Sequence, residues 1–145
     1  MALLQLIDYG SEAYLAAAKL RYRLFYEPHG LDESIVQTGK DAEDCHVAVI
    51  EQDGQVLAYG RLAQTGEHFS IYQMVVEPAW QGQGLGTQVL QALVAVAEQR
   101  GAKSVSLNAK VSQQGFYERH GFERMSAVFA SVTTGVPHVK MEKRL

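Results

Sequence analysis

Two spacings of apolar residues, one of period two and one near 3.6, alternate along this chain. Residues 3–9 suit a first strand. Ser11 then stands as a helix N-cap with Glu12 in the first turn, and Leu15, Ala18, Tyr22 and Phe25 recur behind it at helical spacing. Residues 28–39 break the pattern and read as loop or short irregular helix. Residues 46–51 and 55–62 read as strands about Asp53-Gly54, a tight-hairpin signal. A turn at Thr65-Gly66 leads into a strand over 69–77, which Pro78 ends because it has no N–H for the ladder. Leu85, Val89, Leu93 and Val96, with Leu90 and Val94, form the apolar face of a helix reaching Arg100. Gln88, Gln91, Glu98 and Gln99 lie on its wet side and Gly101 caps its end. Val105, Leu107 and Ala109 alternate with Ser104, Ser106 and Asn108, a half-buried strand. Residues 112–120 read as a short helix capped by Gly121, and two strands follow, about 124–131 and 136–143.

Length and composition narrow the classes of function. With 145 residues, no internal repeat and no proline-rich linker, residues 1–145 read as one domain. A hydrophobic fraction of 47% supplies a core and excludes a disordered chain. The net charge of -3 argues against binding nucleic acid, which needs a basic surface, and fits a cationic substrate such as an amine. The single cysteine, Cys45, rules out an internal disulfide and suits a reducing compartment. No histidine pairing has metal-ligand spacing, so no metal site is expected. No stretch has the length of a membrane span, and the apolar Met1-Ala2-Leu3-Leu4 lacks the basic start of a signal peptide. The expectation is a cytoplasmic protein off the membrane.

The most informative segment is Glu77-Pro78-Ala79-Trp80-Gln81-Gly82-Gln83-Gly84-Leu85-Gly86-Thr87, where a strand ends and an amphipathic helix begins. Glycine lets backbone approach a ligand closely, and the first turn of a helix presents unpaired N–H groups at its positive end. Together these make an anion site suited to phosphate. The lysine of a P-loop is missing before Thr87, and Gly82, Gly84 and Gly86 lack the Gly-x-Gly-x-x-Gly spacing of a dinucleotide fold.

Gln81-Gly82-Gln83-Gly84-Leu85-Gly86 resembles the Gln/Arg-x-x-Gly-x-Gly/Ala signature of the GNAT superfamily of N-acetyltransferases. Leu107-Asn108-Ala109 and Phe116-Tyr117-Glu118-Arg119-His120-Gly121-Phe122 look like that family's second motif. Leu20-Arg21-Tyr22-Arg23-Leu24-Phe25 and Gly135-Val136-Pro137-His138 look further like its ElaA-like branch. The resemblance implies an α/β (α+β) fold: a mixed, mainly antiparallel sheet of about seven strands, flanking helices and a splayed parallel strand pair.

It also implies a chemistry, transfer of an acetyl group from acetyl-CoA to a primary amine by direct attack in a ternary complex. Main-chain N–H groups of Gln81, Gly82, Gln83, Gly84, Leu85, Gly86 and Thr87 would hold the coenzyme A diphosphate. Met74 and Val76 would offer main-chain contacts to the pantetheine arm, and an N–H near Val75 would polarise the thioester carbonyl. Asn108 would touch the arm or close a strand-end turn. Tyr117 matches the family tyrosine that protonates the departing thiolate. Many relatives place a basic carboxylate on the strand before the glycine turn, where this chain has Tyr72 and Gln73. His46 and His138 are then the candidate bases, beside proton removal through water.

Arg21, Arg23 and Arg61 would hold an acidic group on the acceptor or pair with the carboxylates of residues 27–44. Cys45 reads as a buried strand residue, since adjacent His46 faces the other way. The apolar stripes of the last strands are candidates for a homodimer contact. The rival reading is a module that binds or senses acyl-CoA without catalysis.

Overall fold

The structure, a computed structural model, describes residues 1–36 and 39–145. Its strands are β1 (Leu3–Ile7), β2 (Cys45–Ile50), β3 (Val56–Thr65), β4 (His68–Val76), β5 (Ser104–Lys110), β6 (Glu123–Arg124), β7 (Phe129–Ala130) and β8 (Pro137–Arg144). The helices are α1 (Glu12–Arg21), α2 (Leu85–Gln99) and α3 (Gln114–Arg119). One sheet runs β1-β2-β3-β4-β5-β8-β6, with β7 also paired to β8. Every pairing is antiparallel except that of β4 with β5. This is the mixed, mainly antiparallel α/β sheet with a parallel pair that the motifs imply, built of eight strands.

The added strand comes from the stretch expected as one strand over 124–131. Ser126 interrupts it: its Oγ accepts the Lys140 N–H at 2.9 Å and its carbonyl accepts Arg124 Nε at 2.8 Å. The chain bends there, leaving β6 and β7 as two short pairings on β8. The expected irregular stretch 28–39 contains the 3-10 turns Glu27–His29, overlapping its start, and Glu33–Val36. Its Gln37 and Thr38 lie outside the described residues.

Each face of the sheet has its own core. On one, Leu85, Val89, Leu90, Leu93, Val94 and Ala97 of α2 pack on Cys45, Val47, Val49, Phe69, Val105, Leu107, Ala109 and Met141. On the other, Ala17 and Leu20 of α1 pack on Ala48, Val56, Tyr59 and Val75. Cys45 and His46 fall on opposite faces, as strand alternation demands. Val139 and Met141, the stripe of β8 that offered a homodimer contact, are wholly buried in the core under α2.

The first helix differs from its periodicity in two ways. Leu15 is 48% exposed, and the buried positions are Tyr14, Ala17, Ala18, Leu20 and Arg21. The two small alanines let the helix lie close to the sheet, so the buried face is rotated away from the larger leucine. The α-helix also stops at Arg21, where Tyr22–Tyr26 widens into a π-helix that changes where Phe25 and Tyr26 point.

Candidate active site

Strands β4 and β5 pair only at His68–Ser104, Phe69–Val105 and Ser70–Ser106. Beyond Ser70 both continue, β4 to Val76 and β5 to Lys110, with no further pairing, so they splay and expose main chain along a cleft. A bulge in β4 helps to open it. Against β3, Tyr59 faces Val75 and Arg61 faces Tyr72, so Gln73 and Met74 together oppose Gly60. Gln73 takes φ of 58°, left-handed backbone that a non-glycine residue seldom adopts. The extra residue reverses the alternation: Phe69 and Ile71 face α2 before it, whereas after it Val75 packs beneath α1 and Met74 and Val76 pack on the α2 side.

The glycine turn closes one end of the cleft. Gly82 and Gly84 both take φ of 81°, and a Cβ at either would meet nothing within 4 Å. Gly84 is the N-cap of α2, no side chain caps that end, and no acidic residue occupies its first turn. Because Gln88 N–H already bonds Gly84 at 3.1 Å, the amides of Leu85, Gly86 and Thr87 lie ahead of the first helical bond. The Gln81 side-chain Nε2 donates to the Val76 carbonyl at 3.2 Å, folding the turn back on the end of β4. Residues 81–84 are exposed, and an anion has open access to these amides.

Tyr117, on α3, reaches the bulge from the α2 side, its hydroxyl donating to Met74 Sδ at 3.8 Å. Phe116 and Phe122 flank its ring edge-on, at centroid distances of 5.0 and 5.9 Å. This burial pushes the phenol up to about 12, so it is protonated throughout the neutral range. His120, which no sequence signal singled out, touches the same region. Its Nε2 lies 3.3 Å from Thr87 Oγ1 and its ring packs on Phe116 at 4.9 Å. Asn108 is exposed on β5, opposite Lys140 of β8.

The two candidate bases have different surroundings. His46 is 2% exposed; Nε2 donates to the Asp41 carbonyl at 2.8 Å and Nδ1 accepts from the Tyr59 hydroxyl at 2.6 Å. Both nitrogens are engaged, and burial holds the imidazole below its ordinary value. His138 is half-buried, with Nδ1 donating to the Val136 carbonyl at 2.7 Å and its ring stacked on Phe129. Those contacts fix the tautomer and leave the lone pair on Nε2.

A third wall comes from the π-helix. Gln73 Nε2 donates to Tyr26 hydroxyl at 2.9 Å, and Lys110 Nζ lies 5.3 Å from the Phe25 ring centroid. Neighbouring residues thus grip β4 on one side of the splay and β5 on the other. The three arginines are all paired: Arg21 with Asp41 at 3.6 Å, Arg23 with Glu77 through two bonds of 3.1 and 2.9 Å, and Arg61 with Asp44.

A parallel pair parted by a bulge, with an uncapped helix start at its mouth, makes an open cleft lined by main chain with an anion site at one end. The acetyltransferase (GNAT) domain profile matches residues 7–145, and the chain belongs to this family of acyltransferases. An acyl-CoA N-acyltransferase from Pseudomonas aeruginosa superposes with a TM-score of 0.82 at 25% identity, covering 99% of each chain. Escherichia coli ElaA gives 0.84 at 23% identity over 98% of this chain and 99% of its own. An aminoglycoside 6'-N-acetyltransferase complexed with coenzyme A has the same fold, with a TM-score of 0.78 at 18% identity over 98% of this chain and 96% of its own.

Proposed function

We propose that this protein transfers the acetyl group of acetyl-CoA to a primary amine by direct attack in a ternary complex, in the cytoplasm. The open, uncapped start of α2 at the mouth of the β4–β5 splay carries this reading. There the amides of Gly82, Gln83, Gly84, Leu85, Gly86 and Thr87 hold the diphosphate, while that of Gln81, expected to join them, is taken by the Pro78 carbonyl at 3.3 Å. The pantetheine arm runs along the main chain of Met74, Val75 and Val76, with Asn108 beside it on β5. An N–H near Val75 receives the negative charge of the thioester oxygen as the carbonyl carbon becomes tetrahedral.

Once the ammonium has given one proton to solvent, the neutral amine nitrogen forms the new C–N bond, the C–S bond breaks, and two further protons move. The first passes from the amine to His138 Nε2; His46 has no lone pair open for this role and acts in packing. The second passes from the Tyr117 hydroxyl to the departing thiolate. A phenol pushed up to about 12 is a weak acid in water. A thiolate released into the same dry surroundings is raised by the same cause, so the transfer runs between more closely matched groups.

The Tyr117→Phe variant tests the reading. Its coenzyme A affinity, followed by titration, should hold, while turnover with the best amine falls about 10²- to 10⁴-fold. Undiminished turnover would remove Tyr117 from the chemistry. Coenzyme A binding by the wild type without turnover on any amine would favour a module that binds or senses acyl-CoA.

A further inference from the structure

Arg21, Arg23 and Arg61 are each committed to a carboxylate, which leaves Lys110 as a cation of a different kind. It stands at the C-terminal end of β5 beside the splay, half-buried, with its ammonium over the Phe25 ring at 5.3 Å. Among the described residues no carboxylate lies within ion-pair distance of it. Glu77, near the other strand of the cleft, is held by both terminal nitrogens of Arg23. Glu142, on the same face as Lys110 by register, lies opposite Ser106. That is four residues down β5, roughly 13 Å at the rise of a strand.

The face matters as much as the charge. Val105, Leu107 and Ala109 point into the α2 core, so Lys110 points to the opposite side, where α1 and its π-helix lie. His138 is its cross-strand partner and projects to that same side. Through Phe25 and Tyr26, Lys110 is linked to Gln73 of the bulge, and the next residue, Met74, receives the Tyr117 hydroxyl. An amine approaching the thioester from the side opposite Tyr117 would pass Lys110 and His138 together.

We infer that Lys110 binds an anionic group on the acceptor, so that the substrates are small primary amines bearing a carboxylate or phosphate, not polycations. This rests on the acyltransferase reading above. The aromatic ring holds the ammonium in place without neutralising it, which keeps it available to an anion. The chain's net negative charge does not oppose this at the cleft itself, because Glu77, just past the end of β4, is already paired with Arg23.

Thiol release from acetyl-CoA would be measured with amino acids against their carboxamides, with phosphoethanolamine against ethanolamine, and with spermidine. The expected result is a preference of about 10- to 100-fold in kcat/KM for the anionic member of a pair, expressed mainly in KM. Whether amino acids or phosphoethanolamine lead tells which anion is meant. Lys110→Met, which keeps the stem over Phe25, should erase that preference, and Lys110→Arg should retain it. Inhibition of the wild type by simple carboxylates or phosphate, competitive with the amine, gives the same information without any variant. Turnover with equal use of both members of each pair, or with spermidine as the best acceptor, overturns the inference alone. No turnover on any amine overturns it together with the acyltransferase reading.

Discussion

Gly60 marks the point where the bulge of β4 meets the helix beneath it. A Cβ there would lie 2.9 Å from both Leu93 Cδ1 and Val89 Cγ1 and 3.1 Å from Met74 Cγ. Its backbone is unremarkable; what glycine supplies is the space into which Met74 turns after Gln73. Gly60→Ala must push α2 outward or displace Met74 from beneath Tyr117. Overpacking of this sort costs about 1–3 kcal/mol, readable as a lower midpoint of urea unfolding. Because Met74 carries the Tyr117 contact, kcat should fall as well under conditions where the variant is fully folded. Unchanged stability would mean that Leu93 and Val89 yield without strain. Nothing in Ala58-Tyr59-Gly60-Arg61 announces this role, since its cause lies on a neighbouring strand and a helix. Tyr117 and Gly84 were legible because their causes are local: a motif beside a helix cap, and a turn that needs positive φ.

The three glycines of the turn before α2 have separate physical roles. Gly82 and Gly84 need glycine for φ of 81°, whereas Gly86 is helical, and a Cβ on it would sit at ordinary contact distance, 3.7 Å, from Phe116 Cζ and Val76 Cγ2. Gly84→Ala and Gly82→Ala should therefore cost about 1–2 kcal/mol each in backbone strain. They should weaken coenzyme A binding by more than that, because relief of the strain turns the amides away from the anion. Gly86→Ala should leave unfolding and coenzyme A affinity nearly unchanged. This explains why the signature it matches accepts alanine at that position. Calorimetric titration of the three variants decides; equal losses in all three would show that the turn is not read residue by residue. Helix α2, the hairpin at Asp53-Gly54 and strand β5 were legible from periodicity and turn chemistry, which act within a few residues. The bulge at Gln73, the π-helix at Tyr22–Tyr26 and the buried face of α1 were not, because each is settled by packing against distant chain. The same holds for the grip of Phe25 and Tyr26 on the two strands of the cleft.

The sheet divides the protein into a side that would carry coenzyme A, packed on α2, and a side that would receive the acceptor, packed on α1. The second is pinned by a buried polar cluster. Tyr14 hydroxyl bonds Asp41 at 2.7 Å, Arg21 stacks on Tyr59 at 4.7 Å from the ring centroid, and His46 joins Tyr59 to the Asp41 carbonyl. Among the described residues, Arg21 Nε and Nη2 and Asp41 Oδ1 are buried without a partner, so the cluster is held by few bonds for its charge. Burial lowers the His46 pKa, and the folded protein therefore resists a proton that the unfolded chain accepts near the ordinary value of about 6.5. Protons then favour unfolding. The contribution of His46 is complete above that pH and declines below it, by at most about 1.4 kcal/mol per pH unit, until the folded-state value is reached. His46→Gln should lose about 1–3 kcal/mol at pH 7.5 by leaving Tyr59 or Asp41 short of a bond, and should unfold with a shallower dependence between pH 7 and pH 5. Urea titrations of both proteins across that range make the comparison, and parallel slopes would assign the acid sensitivity to other groups. Since α1 runs directly into Phe25 and Tyr26, loosening this cluster would disturb the acceptor wall before the α2 face. Mild acid should therefore raise KM for the amine at a pH where coenzyme A still binds with full affinity.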